Sequence, residues 1–254
     1  MRVAFGGLCN VMRVALCAAP LILCSLISPA EAGDNSGTRT EDLRTVLFGS
    51  LDAGRSTFGT LGVKRALGDS LDRSGPVGMA SVGYGGTVER AWWQAEDSHV
   101  IRHAVHASAL LGYQWVREGI VVAALAGPEI DSERVSDHPT ARDTTPQLGA
   151  RLHGEMWAHP TANTLLTTTV IVGTARTAHL WGRASAGYAV WDGVFVGPEA
   201  SVYATDTYRE WRFGAHVTGL TLGRFNLRLS GGWRGEEETG NQGAYVGLSA
   251  YIRM

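Results

Sequence analysis

From Val46 onward, apolar and polar side chains alternate with a period of two, in segments about ten residues long. In 225–234, Phe225, Leu227, Leu229 and Trp233 share one face, with Asn226, Arg228, Ser230 and Arg234 on the other. Val246, Leu248, Ala250 and Ile252 oppose Tyr245, Ser249, Tyr251 and Arg253 in the same way, and Leu148, Leu152 and Met156 oppose Arg151, His153 and Glu155. A helix cannot sort residues with this period, whereas a strand does so automatically because successive side chains leave opposite faces. The pattern predicts about twelve strands, near 45–53, 58–66, 76–86, 99–113, 119–131, 148–158, 164–174, 179–190, 194–205, 209–219, 224–234 and 243–253.

Two architectures use such strands. A β-sandwich buries the apolar face between two sheets, and a transmembrane barrel turns it to lipid. Ten residues is the length a tilted strand needs to cross hydrocarbon, while strands of soluble proteins are typically shorter. The segments follow one another without helical crossovers, so neighbours pair antiparallel. Connections alternate in length. Thr87–Ser98, Ser132–Gln147 and Gly235–Gln242 are long, and Trp115–Glu118, His159–Asn163, Trp191–Gly193 and Leu220–Gly223 are short. Short periplasmic turns and long outer loops are the signature of an outer-membrane barrel. Gly54–Thr57, which is short, and Leu67–Gly75, which is long, depart from it. Trp115, Trp157, Trp191, Trp211 and Trp233 fall near strand ends, where rings rest at headgroup level, although Trp157 and Trp191 share parity with polar residues. The expected fold is all-β, an antiparallel up-and-down outer-membrane barrel of about twelve strands with both ends in the periplasm.

The first residues supply an export route. Arg2 and Arg13 precede an apolar run from Val14 to Ile27, and Ala30-Glu31-Ala32 follows as an A-x-A site before Gly33. That order reads as a secretory signal peptide cleaved near Ala32. The apolar run is too short for a membrane-spanning helix, and Leu23 before Cys24 departs from a lipobox. The expected organisation is a signal peptide at 1–32, a short periplasmic segment at 33–45 and a barrel at 46–254. Cys9, Cys17 and Cys24 all lie in the segment removed, so the mature chain carries no disulfide or thiolate site. The formal net charge of −2 gives no electrostatic case for a nucleic-acid partner.

No catalytic or metal-binding motif stands out, and no cofactor is expected. The eight histidines do not form an HExxH pattern, and Gly83-Tyr84-Gly85 lacks the following helix of a dinucleotide site. His106 and Ser108 share the polar face of one strand. That is the residue pair a lipid hydrolase uses, but lipid chemistry calls for the opposite face and an orienting third group. The polar face carries Arg102, Arg151, Arg183, Arg212, Arg228, Arg234 and Arg253, with Glu129, Glu155 and Glu199 as counter-charges. Such a set either braces a filled interior or lines a narrow passage for a polar solute. Trp92 and Trp93, on a long outer loop, are candidates to stack on sugar rings or to pack the loop down. A general porin-like channel, a hydrolase using Ser108 and His106, and a soluble periplasmic sandwich therefore stand as alternatives.

Certain residues bring a family resemblance. Leu47-Phe48-Gly49-Ser50-Leu51-Asp52-Ala53-Gly54, Phe58, Gly62-Val63-Lys64-Arg65-Ala66-Leu67 and Leu71-Asp72-Arg73-Ser74-Gly75 resemble the opening of the cellulose biosynthesis protein BcsS family. Gly83-Tyr84-Gly85, Gly197-Pro198-Glu199-Ala200, the run from Phe213 to Leu220 and Gly243-Ala244-Tyr245 resemble its later parts, so the likeness covers nearly the whole mature chain. Trp92-Trp93 departs from it, since the resemblance leads one to expect tyrosine near that strand end. The resemblance implies a non-enzymatic accessory protein of bacterial cellulose biosynthesis or secretion, in or on the outer membrane. Its partners would be outer-membrane lipid and cellulose or components of the cellulose synthase complex. It transfers no catalytic residue.

Overall fold

The computed structural model describes residues 42–54, 56–90, 99–135 and 145–254. The expected signal peptide and the Trp92-Trp93 pair lie outside them. Twelve strands follow in chain order: β1 (Thr45–Ala53), β2 (Ser56–Ala66), β3 (Gly75–Arg90), β4 (His99–Arg117), β5 (Ile120–Val135), β6 (Gln147–Thr161), β7 (Thr164–Gly173), β8 (His179–Trp191), β9 (Val194–Ala204), β10 (Arg209–Leu222), β11 (Phe225–Glu236) and β12 (Gln242–Arg253). Each pairs antiparallel with its neighbours, and β1 closes on β12 from Val46↔Arg253 to Ala53↔Val246. Closure satisfies every ladder and leaves no sheet edge, which is what a strand protein needs in hydrocarbon.

The faces are those the alternation requires. Leu51, Leu61, Val82, Leu111, Leu148, Leu152, Val170, Phe213, Val246 and Leu248 point outward and are exposed, while Arg151, Glu155, His216 and Arg228 point inward and are buried. Aromatic residues border the outer apolar band. Tyr113, Trp115, Tyr188, Trp191 and Phe225 stand toward one rim, and Tyr84, Trp211 and Trp233 toward the other. Such girdles mark the two membrane interfaces of a barrel.

Even-numbered connections other than 67–74 are two residues long (118–119, 162–163, 192–193 and 223–224), and all but the first of the odd-numbered ones are longer. Gly119, Gly193 and Gly223 take positive φ in these tight turns, a conformation open to glycine without strain. The rim with the short turns is the one that outer-membrane barrels direct to the periplasm. Trp157 faces inward, as its parity requires. Trp191 does not: a register shift between Ala189 and Trp191 swings it outward to 72% exposure. β3 and β5 are longer than their sequence pattern indicates because their pairing continues to Arg90 and Val135 at the long-loop rim, whereas β4 and β6 gain their extra residues beside the 118–119 and 162–163 turns.

The Gly-Tyr-Gly motif has a packing role. Tyr84 faces out while Gly83 and Gly85 face in, under the ring of Phe58 on β2. A Cβ at Gly83 or Gly85 would lie 2.5 Å or 2.3 Å from that ring. Only glycine lets the phenyl group lie flat across the neighbouring strand.

Candidate functional site

The inward side chains form two layers. Toward the short-turn rim the interior is apolar, built from Val46, Phe48, Met79, Leu110, Leu125, Trp157, Phe195 and Tyr251. The 67–74 connection completes this layer and so accounts for its own length. Leu71 is inserted among these residues, its N–H donating to the Leu43 carbonyl (2.7 Å). Gln114 Nε2 donates to the Leu71 carbonyl (2.6 Å), and Ser70 donates its hydroxyl to the Leu43 carbonyl (3.1 Å). Arg253 holds Asp72 at 3.2 Å on the rim. The mouth is stoppered by the chain itself.

Charged pairs lie within this layer and beyond it, Lys64 being the direct cross-strand partner of Val46 and Met79. Lys64 on β2 reaches the carboxylate of Glu155 on β6, and His153 approaches the same carboxylate at 3.4 Å. Because β2 and β6 lie four strands apart around the barrel, this pair bridges the lumen rather than running along one wall. A second bridge joins Asp52 on β1 to Arg212 on β10, which also bonds Glu210 at 2.6 Å and lies 5.2 Å over the Tyr245 ring. Arg234 holds Glu210 (3.1 Å) and Glu236 (3.0 Å), and Arg228 pairs with Glu199. Arg183 lies over Trp181 at 5.6 Å. Charges removed from water this completely persist only when paired, and here each base stands against a carboxylate or a ring.

The third group lies toward the long-loop rim. Glu129 Oε1 accepts the N–H groups of Thr174 (2.8 Å) and Ala175 (2.9 Å), pulling the 174–178 connection inward until Ala175 is 2% exposed. Gly149 makes room for that turn, since a Cβ there would meet Ala175 N at 2.2 Å. Arg151 lies 3.5 Å from Glu129 and 2.6 Å from His106 Nε2. Farther out, Glu133 takes Arg102 (3.0 Å) and Arg176 (3.4 Å), the latter held at φ +61°.

Arg102, Arg151, Glu155, Arg183, Glu199, Arg212, Arg228 and Arg234 thus all face the interior and join ion-pair or ring contacts, but in several clusters rather than one site. Lys64 and Asp52 are essential members that parity could have flagged, because each alternates with outward leucines on its strand. His106 and Ser108 take separate partners. Both face inward, Arg151 lies in hydrogen-bonding contact with His106 Nε2, and Ser108 Oγ bonds Ser81 Oγ at 3.0 Å. Among the described residues no group of three or more histidine and carboxylate side chains is arranged to hold a metal ion.

A family model for cellulose biosynthesis protein BcsS matches residues 46–254. No curated protein matches the chain. Among solved structures, the β domain of the Bordetella autotransporter Brka is similar at 13% identity and a TM-score of 0.52, over 84% of this chain and 100% of that one. The translocator domain of the autotransporter NalP from Neisseria meningitidis gives 13%, 0.49, 87% and 90%, and KdgM porin in complex with disordered oligogalacturonate gives 10%, 0.44, 82% and 99%. The likeness to the Brka domain is one of fold.

Proposed function

The chain belongs to the cellulose biosynthesis protein BcsS family, and from that premise we propose that it is a non-enzymatic outer-membrane accessory of cellulose biosynthesis and secretion, acting as a sealed barrel. The observation that carries the sealed reading is the double obstruction of the lumen. Ion pairs join non-neighbouring strands through the lumen at Lys64–Glu155 and Asp52–Arg212, and an apolar layer toward the short-turn rim takes in Leu71. A diffusion channel keeps its lumen polar and open along its length, and the apolar layer argues against that. A hydrolase at Ser108 and His106 has no route to lipid from the inward face. The lumenal arginines and glutamates then serve as braces that hold the barrel round.

In this reading residues 1–32 are removed near Ala32, the barrel presents its long-loop rim to the cell exterior, and Trp92 and Trp93 are the candidates to stack on glucan rings. The partners are lipid, the polymer and components of the synthase. Deletion in the native bacterium, with complementation, tests it. Loss of cellulose dye binding, restored by the wild type and by Ser108→Ala, supports the role. Unchanged dye binding on deletion removes it, and failure of Ser108→Ala to complement brings the hydrolase back. Recovery from the soluble periplasmic fraction, without heat-modifiable migration, overturns the membrane location.

A further inference from the structure

Four buried side chains beside the 174–178 connection carry polar atoms without a hydrogen-bond partner. Arg151 on β6, Glu129 on β5, His106 on β4 and His179 on β8 are 0%, 1%, 2% and 5% exposed. Arg151 Nη1 serves His106 Nε2 (2.6 Å) and stands 3.5 Å from Glu129 Oε2, while its Nε and Nη2 bond nothing. Those two nitrogens are the side-on fork of a guanidinium, the edge that engages two oxygens at once. Glu129 uses Oε1 to accept the Thr174 and Ala175 N–H groups, and its Oε2 accepts no hydrogen bond. His179 Nδ1 lies 3.2 Å from the Thr177 carbonyl and so carries the proton. Its Nε2 is then a bare acceptor without a donor, 4.0 Å from Glu129 Oε2. Tyr203 on β9 stacks on that imidazole (centroids 6.0 Å apart, planes at 20°) and holds it in place.

The unmet groups define what would satisfy them. Arg151 Nε and Nη2 are two donors, and Glu129 Oε2 and His179 Nε2 are two acceptors. Buried polar groups are almost always hydrogen-bonded, so four together point to a guest. An anion would fill the fork, but it would set its charge beside a carboxylate and leave both acceptors unmet. A cation would serve the acceptors and meet the guanidinium. A neutral pair of adjacent hydroxyls satisfies all four, because each oxygen accepts one N–H of the fork and each O–H donates to one acceptor. His106 Nε2 accepts from Arg151, so Nδ1 carries the ring proton and is a further donor for a hydroxyl lone pair.

We propose that Arg151, Glu129 and His179 form a binding site for a vicinal hydroxyl pair of a neutral saccharide, beneath the 174–178 connection. The inference deepens the cellulose reading above and rests on it for the kind of sugar. One oxygen of Glu129 tethers the connection and the other faces the sugar, so binding and closure are linked through a single carboxylate. The connection lifts to admit the sugar ring and then lies over it.

The test uses the detergent-folded full chain with cellobiose, its fully O-methylated form, or acetate as probes. Saturation-transfer NMR reads binding, and mass spectrometry follows trypsin cleavage after Arg176. Cellobiose should give saturation transfer and slow that cleavage at least fivefold, whereas the methylated sugar and acetate should do neither. Arg151→Lys keeps the charge but loses the fork, and should weaken cellobiose binding at least tenfold while still migrating as a heat-modifiable barrel. His179→Phe removes the acceptor but keeps a ring against Tyr203, and takes its place if Arg151→Lys fails to fold. Equal signals from cellobiose and its methylated form, stronger binding of acetate, or a folded variant that binds like wild type overturns the site. No response to cellobiose assigns these groups to water alone and overturns it as well. Cellulose dye binding by the deletion strain separates the two readings. Lost dye binding with a chain that ignores cellobiose sinks only this site, while unchanged dye binding with a chain that binds cellobiose sinks only the cellulose role.

Discussion

Removing one end of the Lys64–Glu155 bridge, and then both, measures how far the interior braces the barrel. The two side chains are 1% and 0% exposed, and they come from strands that are not neighbours. Glu155→Leu leaves the Lys64 ammonium buried without the carboxylate it faces, a loss of about 3–5 kcal/mol for a broken buried pair. Lys64→Met leaves Glu155 with His153 at 3.4 Å, so the imidazole takes over part of the compensation and the loss falls toward the lower end of that range. The double variant Lys64→Met/Glu155→Leu removes both charges and fills the volume with apolar atoms, so its cost should be under about 1 kcal/mol. The assay is reversible urea unfolding of the barrel in lipid vesicles, followed by tryptophan fluorescence, with outer-membrane recovery as a check on assembly. Single variants costing less than about 1 kcal/mol, or a double variant as unstable as the sum of the singles, would refute a cross-lumen pair.

Other expectations follow from the same geometry. Leu248→Arg places a charge on the lipid face and should cost roughly 2–4 kcal/mol at the midplane in the same urea assay, whereas Ser230→Ala on the opposite parity should cost much less. Glu129→Ala releases the Thr174 and Ala175 N–H groups, so trypsin added to intact cells should cut after Arg176 in the variant at least ten times faster than in wild type, and equal rates would contradict a tethered connection. Gly85→Val should sharply lower the yield of folded, heat-modifiable barrel through its collision with Phe58, and adding Phe58→Ala should restore it.

Much of the barrel is legible in the chain because parity is a local property. The alternation around Arg151, Arg212 and Arg228 assigns each to the interior without knowledge of its neighbours, and the two-residue turns at Gly119 and Gly193 declare one rim. What joins these residues is not local. Lys64 and Glu155 are 91 positions apart, and only the curvature of the closed barrel turns the inner faces of β2 and β6, four strands apart, toward each other, so the choice between a filled and an open lumen stays undecided until the walls are in place. The 67–74 connection looks anomalous as a turn because its length encodes a stopper. Trp191 deceives for another reason, since one extra residue at a bulge reverses the face of everything beyond it.

Planar-bilayer recording of the purified full chain tests the sealed lumen most directly. A barrel closed by Leu71 and by ion pairs between non-neighbouring strands should insert without steady conductance, and replacing residues 69–73 with two glycines should raise the current only when the bridging side chains are truncated as well (Lys64→Ala/Glu155→Ala with Asp52→Ala/Arg212→Ala). Stable, reproducible open steps from the wild-type chain would contradict a sealed barrel and return a diffusion channel as its function.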